Sequence, residues 1–155
     1  MERPLILVTN DDGVTAPGIR ALVEMAKEFG EVYVVAPDSP QSGMGHAVTL
    51  NSTLFCDEIE VDEEVKEYAC SGTPVDCVKL AVSQILPRKP DLCISGINHG
   101  SNSSVNVIYS GTMSAAVEAG IEGIPAIGFS SWDFAYHAAV HAGDKVISRV
   151  SAAAL

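Results

Sequence analysis

The chain has 155 residues, of which 47% are hydrophobic, and its 20 acidic and 9 basic residues give a formal net charge of −11. This length suits one domain with a single core, and the acidic balance argues against a polynucleotide partner, because duplex binding depends on clustered lysine and arginine. The apolar runs are too short for a membrane span of roughly 20 residues or for the roughly 7–15 apolar residues of a secretory signal, so we expect no membrane association and a cytoplasmic location.

Apolar runs and helical patterns alternate along the chain. Short continuous apolar runs are typical of buried strands, and apolar residues spaced three and four apart are typical of helices. The predicted elements are strand 4–9, helix 18–29, strand 31–37, short edge or antiparallel strands near 46–50, 53–56 and 66–71, helix 74–86, strand 90–95, helix 112–123, strand 124–130 and a helix from about 134 onward. This alternation predicts one three-layer α/β domain over 1–155 with a mostly parallel sheet.

Neither the cysteines nor the run of acids between 57 and 67 forms a recognisable metal-binding or catalytic motif. The chain has no C-x-x-C pair, and its cysteines lie on segments predicted to be buried, so we expect reduced core thiols rather than a disulfide or a zinc site. The acids between 57 and 67 predict a solvated loop or sheet edge. The four cysteines are Cys56, Cys70, Cys77 and Cys93.

Polar, glycine-rich loops follow three of the predicted strands. Asn10, Asp11, Asp12 and Gly13 follow the first strand, "APDSPQSGMGH" ends the second, and "GINHGSNSSVN" follows the strand at 90–95. Because ligands of open α/β sheets bind outside the carboxyl ends of the strands, these loops predict one site at one edge of the sheet.

Oxygen donors dominate this edge. Asp11 and Asp12 supply carboxylates, Ser42 a hydroxyl and Asn98 an amide, and two histidines (46 and 99) lie nearby. Such hard ligands suit Mg²⁺, Mn²⁺ or Ca²⁺ better than zinc, and two full charges leave positions open for water or phosphate. The alternative is ordinary turn chemistry, since Asp-Gly is a common turn signal, Ser42 can be a plain loop serine and asparagine tolerates a left-handed backbone.

A helix start downstream indicates phosphate binding. Ser110, Gly111 and Thr112 open the helix predicted over 112–123 with hydroxyls and free backbone N–H groups. Helix N-termini favour anions through these donors and through the macrodipole. Plain capping by Ser110 or Thr112 is the alternative, and it is compatible with phosphate binding.

Several familiar motifs are absent from the sequence. The position two after Asp11 is Gly13, which excludes the acid-x-acid motif of haloacid-dehalogenase-like phosphatases. The P-loop, the dinucleotide-binding glycine fingerprint after the first strand and the G-x-S-x-G of serine hydrolases do not occur either.

Five motifs follow one another along the chain: "ILVTNDDG", "VVAPDSPQSGMGHAVTL", "SGTPVDCVKLA", "PDLCISGINHGSN" and "YSGTMSAAVEA". In these motifs, and in their order and spacing, the sequence resembles the SurE (survival protein E) family of metal-dependent nucleotidases. The resemblance covers most of the chain to about residue 131.

The resemblance implies a Rossmann-like fold and one divalent cation, Mg²⁺ or Mn²⁺. The matching metal ligands are Asp11, Asp12, Ser42 and Asn98, of which the two acids would also be catalytic. The implied phosphate contacts are Asn102, Ser110, Gly111 and Thr112, with Asn10 and His99 as further members of the site.

The activity implied by the resemblance is hydrolysis of nucleoside monophosphates at the 5′ or 3′ position, with trimming of short polyphosphate in some members. It also implies that this chain is the N-terminal part of a longer one, whose C-terminal region forms homodimers or homotetramers.

We therefore predict metal-assisted phosphomonoester hydrolysis, in which Asp11 or Asp12 acts as base on an attacking water. The alternatives are a non-catalytic nucleotide- or metal-binding module and, less in keeping with the motifs, a flavodoxin-like flavin domain.

Overall fold

The computed structural model describes residues 2–41, 47–99, 110–131 and 137–153. Within these ranges, strands and helices alternate as the sequence predicts. In chain order they are β1 (Leu5–Thr9), α1 (Pro17–Lys27), β2 (Glu31–Pro37), β3 (Cys56–Ile59), β4 (Lys66–Cys70), α2 (Pro74–Leu80) with a π-helical continuation over Ala81–Ile85, β5 (Leu92–His99), α3 (Gly111–Ile121), β6 (Ala126–Ser131) and α4 (His137–Ala153).

The strands form one six-stranded sheet in the order β3-β4-β2-β1-β5-β6. All neighbours pair in parallel except β3, which runs antiparallel to β4 at the sheet edge. The central strand β1 lies between β2 and β5, and the chain order reverses there. This arrangement confirms the predicted α/β fold and places the carboxyl ends of β1, β2 and β5 side by side, where such sheets bind ligands.

Two apolar clusters cover the two faces of the sheet. Alternate residues of β1 point to opposite faces, so that Ile6 and Val8 pack with α1 and with Ile147 of α4, while Leu7 packs with α2 and α3. Because β1 is buried on both sides, its sequence is a continuous apolar run. The α2–α3 layer is the one that reaches the predicted site.

Several predicted elements differ from the structure. The strand predicted over 53–56 is displaced, because the observed β3 begins at Cys56 and ends at Ile59. Residues 47–50 form no strand, since Thr49 donates from its backbone N–H and its hydroxyl to the Asp76 carboxylate instead of to a neighbouring strand. The strand predicted over 90–95 continues to His99, because β6 pairs with it beyond a register shift between Ser95 and Asn98. The helix that begins at Pro74 loosens to π-helical geometry from Ala81.

The cysteine prediction holds for two residues only. Cys77 and Cys93 are buried free thiols, and burial raises the pKa of Cys93 to about 12. Cys56 and Cys70 form a disulfide, because the antiparallel register of β3 and β4 places them directly opposite each other, with 4.1 Å between their Cα atoms. A pairing that depends on strand register leaves no spacing motif in the sequence.

Within the ranges described, the structure contains no helix whose length and hydropathy would let it cross a membrane.

Candidate functional site

The turn after β1 is closed by Asn10. Its side-chain amide donates to the Gly13 carbonyl at 2.7 Å, and its side-chain oxygen accepts from the Gly13 N–H at 3.2 Å. Gly13 has a φ of 108°, a conformation that suits a residue without a Cβ. Because Asn10 makes the turn's side-chain hydrogen bonds, turn chemistry does not account for Asp11 and Asp12.

Asp11 lies almost buried against the start of α3. Its side chain accepts a hydrogen bond at 2.9 Å from the hydroxyl of Thr112, a residue with no exposed surface. Gly111 packs so closely that a Cβ added there would lie 2.6 Å from the Asp11 Cβ. Burial raises the pKa of Asp11, and the Thr112 hydrogen bond opposes part of that rise.

Asp12 is half-buried, and its surroundings also disfavour its charge. Burial and the neighbouring charge of Asp11 raise the pKa of Asp12, while the charge of His99 lowers it. In the described part of the chain, the ion pairs of lysine and arginine are made with other carboxylates. Two adjacent acids that each lose solvation without a lysine or arginine partner form a site that a cation would stabilise.

The loop after β2 lies against this turn. The Gln41 N–H donates to the Asp11 carbonyl at 2.7 Å, and the Val14 N–H donates to the Pro37 carbonyl at 2.9 Å. The carboxyl ends of β1 and β2 are therefore tied together by backbone hydrogen bonds. Ser42, predicted as a metal ligand, follows Gln41 in the chain and lies outside the described residues, as does the neighbouring His46.

Asn98 and His99 occupy the last positions of β5, the strand next to β1. Asn98 is half-buried and His99 is exposed. β1 and β5 pair in parallel register up to Thr9 and Ser95, so the polar residues that follow these two positions lie at the same edge of the sheet. The structure therefore brings residues from the carboxyl ends of β1 and β5 to one edge, as predicted.

The start of α3 combines capping with free donors. The Ser110 hydroxyl accepts from the Met113 N–H at 3.3 Å, which confirms the capping role. The N–H groups of Gly111 and Thr112 make no hydrogen bond to any described residue. These two N–H groups are the candidate anion donors of the helix start, whereas Asn102, the other predicted phosphate contact, lies outside the described residues.

Two buried hydroxyls at this edge escaped the sequence analysis. Thr9 and Ser95 are paired in register across β1 and β5, both are fully buried, and neither hydroxyl has a hydrogen-bond partner. Their signal in the sequence is that each is a polar residue in an otherwise apolar buried strand, directly before the predicted polar loop.

The donor set at this edge fits a hard cation. The described ranges hold no group of three or more His, Cys, Asp or Glu side chains able to bind a metal. The ligand set of two carboxylates, an amide and a hydroxyl stays a prediction. Carboxylate, amide and hydroxyl oxygens suit Mg²⁺ or Mn²⁺ better than a softer metal.

These features define a three-layer α/β protein of the Rossmann-like type, with an acidic site at the carboxyl edge of its sheet beside a helix N-terminus. A family model described as survival protein SurE matches residues 6–155. The chain therefore belongs to the SurE family, which confirms the resemblance noted in its sequence.

Similar proteins from other organisms are named 5′-nucleotidase SurE. The 5′-nucleotidase SurE of Christiangramia forsetii is 68% identical over 97% of this chain and 58% of that protein. The 5′-nucleotidase SurE of Flavobacterium johnsoniae is 66% identical over 97% of this chain and 58% of that protein. The crystal structure of the SurE protein from Aquifex aeolicus matches with a TM-score of 0.83 and 40% identity, over 96% of this chain and 60% of that one. The chain thus spans about three fifths of the length of these relatives.

Proposed function

We propose that the protein is a divalent-metal-dependent phosphomonoesterase that hydrolyses nucleoside monophosphates to nucleoside and phosphate, a 5′-nucleotidase. One observation carries the proposal: the first turn of α3 lies directly against Asp11, with 2.9 Å between the Thr112 hydroxyl and the Asp11 carboxylate. A cation at the paired acids and a phosphate at the helix N-terminus would therefore be neighbours, as metal-assisted hydrolysis requires.

Each residue has a distinct part in this proposal. Asp11, Asp12, Ser42 and Asn98 would hold the Mg²⁺ or Mn²⁺ ion. A metal ion in such a site neutralises phosphate charge and orients the attacking water. The free N–H groups of Gly111 and Thr112 would bind the phosphoryl oxygens, helped by the helix dipole.

The two acids are not equivalent as bases. One oxygen of Asp11 already accepts a hydrogen bond from Thr112. Asp12 is more exposed, and within the described ranges no hydrogen bond to its carboxylate is present. We therefore assign the removal of a proton from the attacking water to Asp12.

The proposal extends to 3′-nucleoside monophosphates and short polyphosphate, because the assigned contacts address the phosphoryl group rather than the base or sugar. The high identity to named nucleotidases supports the nucleotide as substrate. We further propose that the full-length form is a cytoplasmic homodimer or homotetramer, as the family resemblance implies.

The test is release of inorganic phosphate from a panel of 5′- and 3′-nucleoside monophosphates, with Mg²⁺, with Mn²⁺ and with EDTA. We expect metal-dependent turnover that EDTA abolishes. Tight nucleotide binding without phosphate release, under every metal condition, would favour the alternative of a non-catalytic binding module.

Substitution of the acids tests the site itself. We expect Asp11→Asn and Asp12→Asn each to lower turnover by more than the roughly 10–100-fold that loss of an outer partner of a metal ligand costs. Asp57→Asn removes an exposed carboxylate on β3 and serves as the matched control with unchanged turnover. Turnover like that of the original protein in either site variant would contradict the ligand assignment.

A further inference from the structure

We propose that the side chain of Thr112 positions Asp11 and does not contact the phosphate. Its hydroxyl holds the Asp11 carboxylate in the orientation in which the other carboxylate oxygen meets the cation. The inference rests on the proposed function. It assigns the Thr112 side chain to Asp11, whereas the family resemblance implies that Thr112 contacts the phosphate.

The hydroxyl of Thr112 has one proton to donate, and the structure shows where it goes. Thr112 has no exposed surface, and its Oγ1 lies 2.9 Å from Oδ1 of Asp11, which is itself 4% exposed. A phosphate oxygen only accepts hydrogen bonds at the metal, as does an ionised carboxylate. The same hydroxyl proton therefore cannot serve both, and the buried acid holds it.

The carboxylate of Asp11 is confined from a second side. A Cβ at Gly111 would lie 3.2 Å from Oδ2 and 2.6 Å from the Cβ of Asp11, so this part of α3 forms a close wall beside the acid. With Oδ1 bound by Thr112 and the carboxylate packed against Gly111, rotation about its χ2 angle is restricted. The Thr112 hydroxyl bonds to Oδ1 and not to Oδ2, so Oδ2 is the oxygen that we assign to the cation.

The phosphate keeps other donors on the same turn. The backbone N–H groups of Gly111 and Thr112 are uncommitted within the described ranges, and they do not depend on the Thr112 side chain. Loss of the hydroxyl is therefore expected to weaken metal binding more than substrate binding. Outer partners of metal ligands typically contribute 10–100-fold to metal affinity or activity.

The experiment measures binding of Mn²⁺ alone to the purified protein, by electron paramagnetic resonance of the free ion. We expect Thr112→Val to weaken Mn²⁺ binding by about 10–100-fold, and Thr112→Ser, which keeps the hydroxyl, to restore most of it. Thr112→Ala is measured as well, so that a folding defect of the valine variant does not decide the result. Circular dichroism verifies that each variant is folded.

Ser114→Ala is the matched control. Ser114 lies on the same helix, is also buried, and donates its hydroxyl to the Ser110 carbonyl at 2.8 Å rather than to Asp11. We expect its Mn²⁺ affinity to equal that of the original protein.

Kinetics at saturating Mn²⁺ separate the two roles of Thr112. A positioning role predicts little change in KM for the nucleoside monophosphate. Unchanged Mn²⁺ affinity in Thr112→Val and Thr112→Ala, together with a raised KM, would overturn the inference and return Thr112 to the phosphate. Failure of the unsubstituted protein to bind Mn²⁺ would instead overturn the proposed function, and this inference with it.

Discussion

At the level of single residues, the polar run after β1 divides its tasks among neighbours. Asn10 closes the turn, Asp11 is buried against α3, and Asp12 stays half-exposed beside the end of β5. The sequence predicted that the two adjacent acids belong to one cation site, with ordinary turn chemistry as the alternative. Only the hydrogen bonds of Asn10 show which residue makes the turn.

Two glycines of α3 differ in the space that is available for a side chain. A Cβ at Gly111 would collide with Asp11, whereas a Cβ at Gly120 would meet nothing within 4 Å. We expect Gly111→Ala to destabilise the protein by roughly 1–3 kcal/mol through overpacking and to weaken Mn²⁺ binding. Thermal unfolding and Mn²⁺ titration would measure both effects.

Gly120→Ala is the control on the same helix. It removes unfolded-state freedom without a clash, so we expect it to stabilise the protein by roughly 0.4–1 kcal/mol. Equal stability of the two alanine variants would contradict the close packing of Gly111 on Asp11.

At the level of the elements, the N-terminal cap of α2 also holds a distant segment of the chain. Thr73 and Asp76 form a capping box at this helix start. The structure adds that the Asp76 carboxylate also accepts from the N–H and hydroxyl of Thr49, at 2.9 and 2.6 Å, and that the Thr73 hydroxyl donates to the Ala47 carbonyl. The helix cap thereby holds 47–49, a segment that lies within the strand predicted near 46–50.

Asp76 should make stability depend on pH. Burial alone would raise the pKa of Asp76, but the hydrogen bonds from Thr49 and Thr73 outweigh it and hold the pKa below its ordinary value of 3.8. A carboxylate whose pKa is lowered in the folded state stabilises the protein above its unfolded pKa, and that contribution disappears as the pH falls through the folded value. We expect Asp76→Asn to cost about 2 kcal/mol of unfolding free energy at neutral pH.

Urea unfolding at several pH values would measure this effect. The difference between Asp76→Asn and the original protein should shrink as the pH falls below about 3.8, because the original carboxyl is then neutral as well. Asp57→Asn, at an exposed position of β3, is the control and should change stability little. A difference that is constant across the whole pH range would argue against the charged network.

In the whole molecule, the site exists because three strand ends lie side by side. The order β2-β1-β5 brings the turn after β1 between the loop at Gln41 and the end of β5 at Asn98. In the absence of a cation, the buried and half-buried acids oppose folding at neutral pH, since their pKa values are raised. Folding and metal binding should therefore be linked.

This linkage predicts a metal-dependent melting temperature. Mn²⁺ at 100 times its Kd should stabilise the folded protein by about 2.7 kcal/mol, and EDTA should reverse the rise in Tm. Asp12→Asn should show no such rise, while its metal-free Tm should equal or exceed that of the original protein, because a repulsive charge beside Asp11 is removed. A Mn²⁺-induced rise of equal size in Asp12→Asn would place the cation elsewhere.

The sequence by itself determined the α/β class, the approximate strands and helices, and the edge of the sheet that carries the polar loops. It could do so because periodicity and helix capping are local properties of the chain, and because ligands of such folds bind at the carboxyl ends of parallel strands. The order of the five sequence motifs identified the family.

Only the tertiary structure decided the pairwise contacts. It paired Cys56 with Cys70 through strand register, and it buried Glu67, one of the acids predicted to be solvated, against Arg20 at 2.5 Å. It also directed the Thr112 hydroxyl to Asp11, which is 101 residues away in the chain. Such contacts depend on how distant segments pack, and no local pattern in the chain encodes which partner a cysteine, a carboxylate or a hydroxyl meets.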